Sequence, residues 1–414
     1  MSKLKKKFKP APISLKEILH EMKTSVDVMF DLAFSAILFQ SKEITEEAVN
    51  IDDRVHELTD LLGYQVLQAK IGHFSESRKL EPVITLGYAI DKISEALSDI
   101  AKVVRLNGHL AQFFQLCWKA DPEPIIKVAV SSETAFCGKK WDDIPFKADY
   151  GVDVIAIYHE KKWIFDEKAI INKGDILIVS GELPALAEFK KICKSEEPIS
   201  FDLERKQPID LFDPNDEKTM AVVKRLKENY VRITDMSETI VDLAFASLFF
   251  GNLEIAEDVI DQEHFIDNLI VDLERDILTL AKMIPVPERL LGLMRIVFSC
   301  ELISDAASSI AENLLKGFEP HEVIVAAFSE AWDVAVREVL APGSFLKGKT
   351  VAEVHVPKHS KGFHIIAIKR DNDWIYDIKM DFKLRAGDIV IGIGPKEQIN
   401  FWRTQVNPNA DVDD

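Results

Sequence analysis

The chain has 414 residues, of which 47% are hydrophobic and 29% charged, the composition of a folded protein long enough for several domains. A net charge of −18 excludes the phosphate-neutralising mode of nucleic-acid binding, and no apolar run reaches the ~18 residues of a membrane span. Cys117, Cys137, Cys193 and Cys300 lack zinc or redox spacing and no secretory leader is evident, so the expected location is the cytoplasm.

Residues 1–12 form a basic tail, with Lys3, Lys5, Lys6, Lys7 and Lys9 ahead of Pro10 and Pro12. Ser14 and Glu17 have the spacing of a capping box, and apolar residues from Ile18 to Ile37 recur at helical intervals toward Gln40. Further helices are expected over 45–70 and 81–106, with a shorter piece from Gly108 to Trp118, giving a helical bundle over 13–120. At Asp121-Pro-Glu-Pro124 the texture changes to short β-branched and aromatic runs at 125–130, 152–158, 163–165 and 176–179. Leu183 to Cys193 closes this small α+β module, which spans 121–196, and a Pro-rich acidic linker occupies 197–215.

Then the order repeats. Asp31-Leu-Ala-Phe returns as Asp242-Leu-Ala-Phe, 211 residues later, and Trp163-Ile-Phe-Asp166 returns as Trp374-Ile-Tyr-Asp377. Gly174-Asp175-Ile176 becomes Gly387-Asp388-Ile389. The chain is one unit written twice. The second copy predicts helices over about 216–251, 254–283 and 287–316 and a short helix from Pro320, all within a bundle spanning 216–330. A second module follows over 331–406, with strands between Trp332 and Ile393 and a last helix ending at Phe401. Residues 407–414 form an acidic tail.

Two motifs have the wrong context for their usual chemistry. Gly343 to Gly348-Lys349-Thr350 has phosphate-loop spacing, but Pro357 leaves room for about one helical turn behind it, where a nucleotide site needs a long helix. Gly392-Ile-Gly394 has Glu397 where a dinucleotide fingerprint needs its third glycine.

Cys300-Glu301 through Asp305 to Ile310-Ala311-Glu312 resembles the third-helix signature of PhoU-like bundles, and Glu263-His-Phe-Ile-Asp267 resembles their second-helix acidic motif. Gly343-Ser344, Gly348-Lys349-Thr350, Ile366 to Arg370 and Ala386-Gly387-Asp388-Ile389-Val390 resemble the TrkA C-terminal (RCK C-terminal) domain. The resemblance implies an α+β multidomain fold, two PhoU-like helical bundles alternating with two small α+β TrkA-C-like modules. It also implies a non-catalytic, cytosolic, ligand-sensing regulator of a separately encoded membrane cation channel or transporter, with potassium the expected ion. The alternative is a metal-binding PhoU-like regulator of phosphate transport. A phosphohydrolase built on carboxylate-bound metal is the third reading, and no Ser-His-acid or Cys-His grouping supports catalysis.

The candidate metal ligands are Glu263, Asp267, Glu301 and Asp305. Acids four apart share a helix face, and four convergent carboxylates would suit a divalent metal or iron, although the same spacing also serves a solvated face. The first copy presents Asp52, His56, Asp91 and Glu95 at the matching places. Asp31 and Asp242 are single acids in apolar stretches. In the second module, Lys369 and Arg370 are the candidate anion-binding pair, with cyclic di-AMP or another nucleotide as the ligand that the resemblance suggests. So small a sheet needs covering, and the two modules are expected to pair within the chain or across a homodimer.

Overall fold

The computed structural model describes residues 13–68, 80–105, 113–114, 117, 125–159, 162–165, 168–181, 183–194, 215–318, 320–328, 333–354, 363–371, 373–375, 378–395 and 398–408. The basic tail, most of the acidic tail, most of the interdomain linker and most of the 108–118 piece lie outside them. Phe113 and Phe114 are described; their rings pack on Tyr230 of the second bundle at 5.8 and 5.4 Å.

The first bundle is α1 (Leu15–Phe39), α2 (Lys42–Gln68) and α3 (Glu81–Lys102). The capping box forms: Glu17 N donates to Ser14 Oγ at 3.2 Å and Ser14 N donates to Glu17 Oε2 at 2.7 Å. α2 starts at Lys42 rather than at Thr45, because the Ser41 hydroxyl accepts from Ile44 N at 3.2 Å and caps the helix earlier. After the linker come α6 (Glu217–Phe250), α7 (Leu253–Ala281) and α8 (Leu291–Leu315). The break between α6 and α7 is written into two residues. Gly251 takes the left-handed conformation at φ 60°, and the Asn252 side chain accepts from the amides of Glu254 and Ile255.

The two bundles are not separate bodies. α3 packs along α8, and the short α9 (Glu322–Phe328) crosses back onto α1. Ile90, Ile93 and Leu97 of α3 and Ile296, Cys300 and Ile303 of α8 are fully buried in one continuous core with both bundles.

Each β module is a four-stranded antiparallel sheet. The first has β1 (Ile126–Ala129), β2 (Val152–His159), β3 (Lys162–Ile164) and β4 (Ile176–Gly181) in the order β1-β4-β2-β3. Helices α4 (Phe146–Tyr150) and α5 (Leu183–Ile192) accompany it. The second has β5 (Asp333–Val339), β6 (His364–Arg370), β7 (Asp373–Ile375) and β8 (Ile389–Pro395) in the same order, β5-β8-β6-β7. A one-turn helix, α10 (Val351–Val354), and a closing helix, α11 (Ile399–Val406), complete it. Even the register irregularity is duplicated, between Val154 and Ala156 in one sheet and Ile365 and Ala367 in the other.

The last helix extends beyond the expected end at Phe401. Trp402 and Val406 are both buried, so the apolar spacing continues for another turn. Each sheet gives one face to its own core, where Phe136 and Phe189 stack at 5.6 Å in the first module and Phe363 and Trp402 at 5.4 Å in the second. The opposite faces, through Ile155 and Ile178 or Ala367 and Ile391, belong to the helical core. β2 lies on α1, β5 on α6, and α4 meets β8, so neither module stands isolated.

The glycines of the Gly392-Ile-Gly394 stretch are used for packing. A Cβ on Gly394 would lie 2.6 Å from the Phe363 ring and 2.7 Å from its Cα, and one on Gly392 would lie 2.9 Å from the Trp402 indole. Gly394→Ala is expected to destabilise the second module by about 1–3 kcal/mol through overpacking. Thermal unfolding with hydrogen exchange should place the loss on β6, β8 and α11 and leave the first module protected.

Candidate functional site

α7 and α8 bring three of the four candidate ligands together. Carboxylate oxygens of Glu263, Asp267 and Asp305 all lie within 4.8 Å of one another. Asp267 and Asp305 are exposed and Glu263 is half-buried, so the cluster faces solvent on one side. Glu301 is outside this convergent set, but its charge is coupled to it. Burial, then Asp305, Glu274 and Asp267, push the Glu301 carboxyl above its usual range. Burial and then Asp267 raise both Glu263 and Asp305, with Asp305 a smaller contributor to Glu263. His264 Nδ1 lies 3.7 Å from Glu263, and the His264 side chain is 70% exposed. An oxygen-seeking cation would relieve this repulsion. The Ser304 hydroxyl, buried beside Asp305 in sequence, has no partner among the described residues. The donor set therefore fits a hard metal ion.

The first copy has settled its charges internally. Ser94, the counterpart of Ser304, donates to Asp52 at 2.6 Å, and His56 Nδ1 bonds Asp91, which also accepts from Thr59 at 3.3 Å. His56 occupies the place of Asp267. Its bond to Asp91 raises its pKa, which favours the imidazolium form where the second copy has a carboxylate. Glu95 is exposed, and the four residues do not form a convergent metal group among the described residues. Asp31 and Asp242 are both half-buried.

Lys369 and Arg370 are not brought together as one anion site. Adjacent residues of a strand point to opposite faces, and these two have different partners. Arg370 makes a two-pronged ion pair with the Gly-Asp turn: Nε donates to Asp388 Oδ1 at 2.8 Å and a terminal nitrogen to Oδ2 at 2.6 Å. It also donates to Lys383 O at 2.8 Å and lies over the Phe382 ring at 4.4 Å. In the first module, His159 Nδ1 bonds Asp175 at 2.5 Å in the same place. Asp175 and Asp388 are both buried, and each accepts from a backbone amide of its own turn. This carboxylate staples the turn to the end of β2 or β6. Lys369 instead faces α7: its Nζ is 3.7 Å from Asp258 Oδ1 and 5.2 Å from the centre of the Trp374 ring. The Trp374 indole donates to Asp258 Oδ1 at 2.6 Å.

The phosphate-loop spacing has no phosphate geometry behind it. α10 has four residues, and the Thr350 amide already donates to Glu353 at 2.8 Å while the Thr350 hydroxyl accepts from Glu353 N at 3.3 Å.

Residues 125–194 and 335–400 match the TrkA-C domain model, and residues 230–314 match the PhoU domain model. The chain carries two TrkA-C domains and a PhoU domain. The PhoU match contains all four acids of the second copy, and the TrkA-C matches contain both Gly-Asp turns. Both are regulatory domains, linked to ion transport or to phosphate regulation. Among solved structures, PhoU from Pseudomonas aeruginosa is 11% identical with a TM-score of 0.38, covering 73% of this chain and 96% of that one. The GsuK RCK domain is 15% identical with a TM-score of 0.17, covering 70% of this chain and 64% of its own. The GsuK channel bound to NAD is 14% identical at the same TM-score, over 78% and 66%. No curated protein matches. No helix among the described residues of this PhoU–TrkA-C protein is long and apolar enough to cross a membrane.

Two outcomes follow for the PhoU–TrkA-C chain. Asp305→Asn should raise the melting midpoint of metal-stripped protein by relieving repulsion, while elemental analysis finds less metal in protein purified without chelator. Arg370→Ala leaves the buried Asp388 without its cation, and should destabilise the second module by about 3 kcal/mol in denaturant unfolding. Arg403→Ala, on an ion pair with Glu338 that is itself partly exposed, should cost less.

Proposed function

We propose that this protein is a cytosolic regulatory subunit of a separately encoded cation channel or transporter, with potassium the leading ion. The observation that carries this reading is that a ligand-sensing type of module sits directly on the helix of the acidic cluster. Trp374 of the second TrkA-C module bonds Asp258 of α7, five residues before Glu263. A ligand on the module and a metal on the bundle would act on one element, and each could shift the other only through its differential affinity for the two arrangements.

The ligand supported by resemblance is an anionic nucleotide, cyclic di-AMP first. Lys369 is the member of the basic pair suited to meet it, because Arg370 is committed to the turn. The test is calorimetric titration of wild type, Lys369→Ala and the Lys369→Ala/Arg370→Ala protein with cyclic di-AMP, ATP and NADH. Binding that falls more than tenfold in Lys369→Ala supports the site, since a charge-assisted bond contributes ~1.5–3 kcal/mol. Equal affinity in wild type and Lys369→Ala places the ligand elsewhere, and no heat from any nucleotide removes the nucleotide reading.

The second reading, a metal-binding regulator of phosphate transport, is favoured by the Glu263–Asp267–Asp305 group. Co-purification of the tagged chain with its membrane partner, followed by transport assays in vesicles, separates the two. Potassium flux that responds to the chain supports the first, and phosphate flux that responds supports the second.

A further inference from the structure

The contact between α7 and the second module contains a buried acid that packing alone does not need. Asp258 is 4% exposed. Its Oδ1 accepts from Trp374 of β7, while its Oδ2 is buried and has no partner among the described residues. The charged groups that bear on it are Lys369 of β6, Arg337 of β5 and, on its own helix, Asp261. Lys369 pairs with Oδ1 only, and neither cation hydrogen-bonds Oδ2. Lys369 stays 3.7 Å from the oxygen that Trp374 already occupies, and Arg337 is drawn to Glu254 at 2.5 Å, its Nε buried and unpartnered. A buried carboxylate oxygen and a buried guanidinium nitrogen that both lack hydrogen-bond partners among the described residues are a costly arrangement that a small movement can change.

The first copy carries different residues at these places. Glu47 stands at the place of Asp258 and is half-buried, and Tyr158 stands at the place of Lys369. Lys127, in the place of Arg337, lies over the Phe39 ring at 4.6 Å. The buried acid thus occurs in the same copy as the convergent carboxylates.

We infer that Asp258 is a proton-controlled latch between the second TrkA-C module and α7, tight when its carboxyl is neutral and loosened when it is charged. Neutral, it needs only the indole bond and a single donor or acceptor. Charged, it favours an arrangement in which water or a cation reaches Oδ2, and the module shifts on α7 to provide one. Asp258 is a positioning residue in this scheme: it touches neither ligand nor metal.

The direction of the pH effect follows from burial, which lifts the Asp258 carboxyl from 3.8 to about 6, against the opposing Trp374 bond and the Lys369 and Arg337 charges. Between these values the folded protein holds a proton that the unfolded chain has released. Stability contributed by this group is therefore full below pH 4 and is lost as pH rises through about 6.

The experiment uses the full chain and Trp374 as reporter, isolated from the other five of the six tryptophans by subtracting the Trp374→Phe signal. Fluorescence should show a transition centred near pH 6 in wild type, absent in Asp258→Asn. Removing the nearer cation with Lys369→Met should move the midpoint upward. Asp258→Asn should also melt several degrees higher than wild type at pH 7.5, with a clearly smaller gain at pH 4.5. A transition that survives Asp258→Asn, or a gain in melting temperature equal at both pH values, would overturn the latch. The measurement needs no ligand, metal or transporter, so the latch and the regulatory reading on which its purpose rests fail separately.

Discussion

The packing of α3 along α8 is the contact on which the rest of the protein depends. A three-helix bundle whose third helix is apolar on two sides cannot leave one side in water, and here each bundle uses the other to cover it. Once those helices meet, α9 is carried back onto α1, β2 lies on α1 and β5 on α6, and the inner faces of both sheets join the same core. The modules are thereby held at fixed places on the bundles, and a change of fit at a module reaches helices that it does not itself contain.

Much of this was legible in the sequence because it is written twice. Helical spacing in one copy recurs in the other, and the Ser14–Glu17 box and the Gly-Asp turns were marked by local chemistry. The acids of the second copy were legible for the same reason: residues four apart share a helix face. Which acids converge was less so, since Glu301 has the same spacing and is not in the convergent group. The strand alternation that separates Lys369 from Arg370 is elementary, but a basic dipeptide reads as one patch until the register is known. The least legible contacts join residues far apart in the chain. Trp374 and Asp258 are 116 residues apart, and neither carries a mark that names the other. Their helix and strand periodicities account for burial, while the hydrogen bond depends on how two domains dock.

The two copies show how one scaffold handles buried and clustered charge in different ways. In the first bundle, a histidine among the acids lets protonation neutralise them, and a serine satisfies the buried Asp52. In the second, the histidine position is an aspartate and the serine hydroxyl has no partner among the described residues. The same holds for the turns: His159 bonds Asp175 where Arg370 bonds Asp388.

Fusing the two copies into one polypeptide has a genetic consequence. In an assembly of identical subunits every substitution appears at both related positions, so a residue that suits one role burdens its twin. Here the two positions mutate independently. One half can keep a self-neutralised, stable face while the other carries an energetically expensive one, and a partner with two equivalent faces would meet two different surfaces. The tandem is an asymmetric pair with its stoichiometry fixed by a peptide bond.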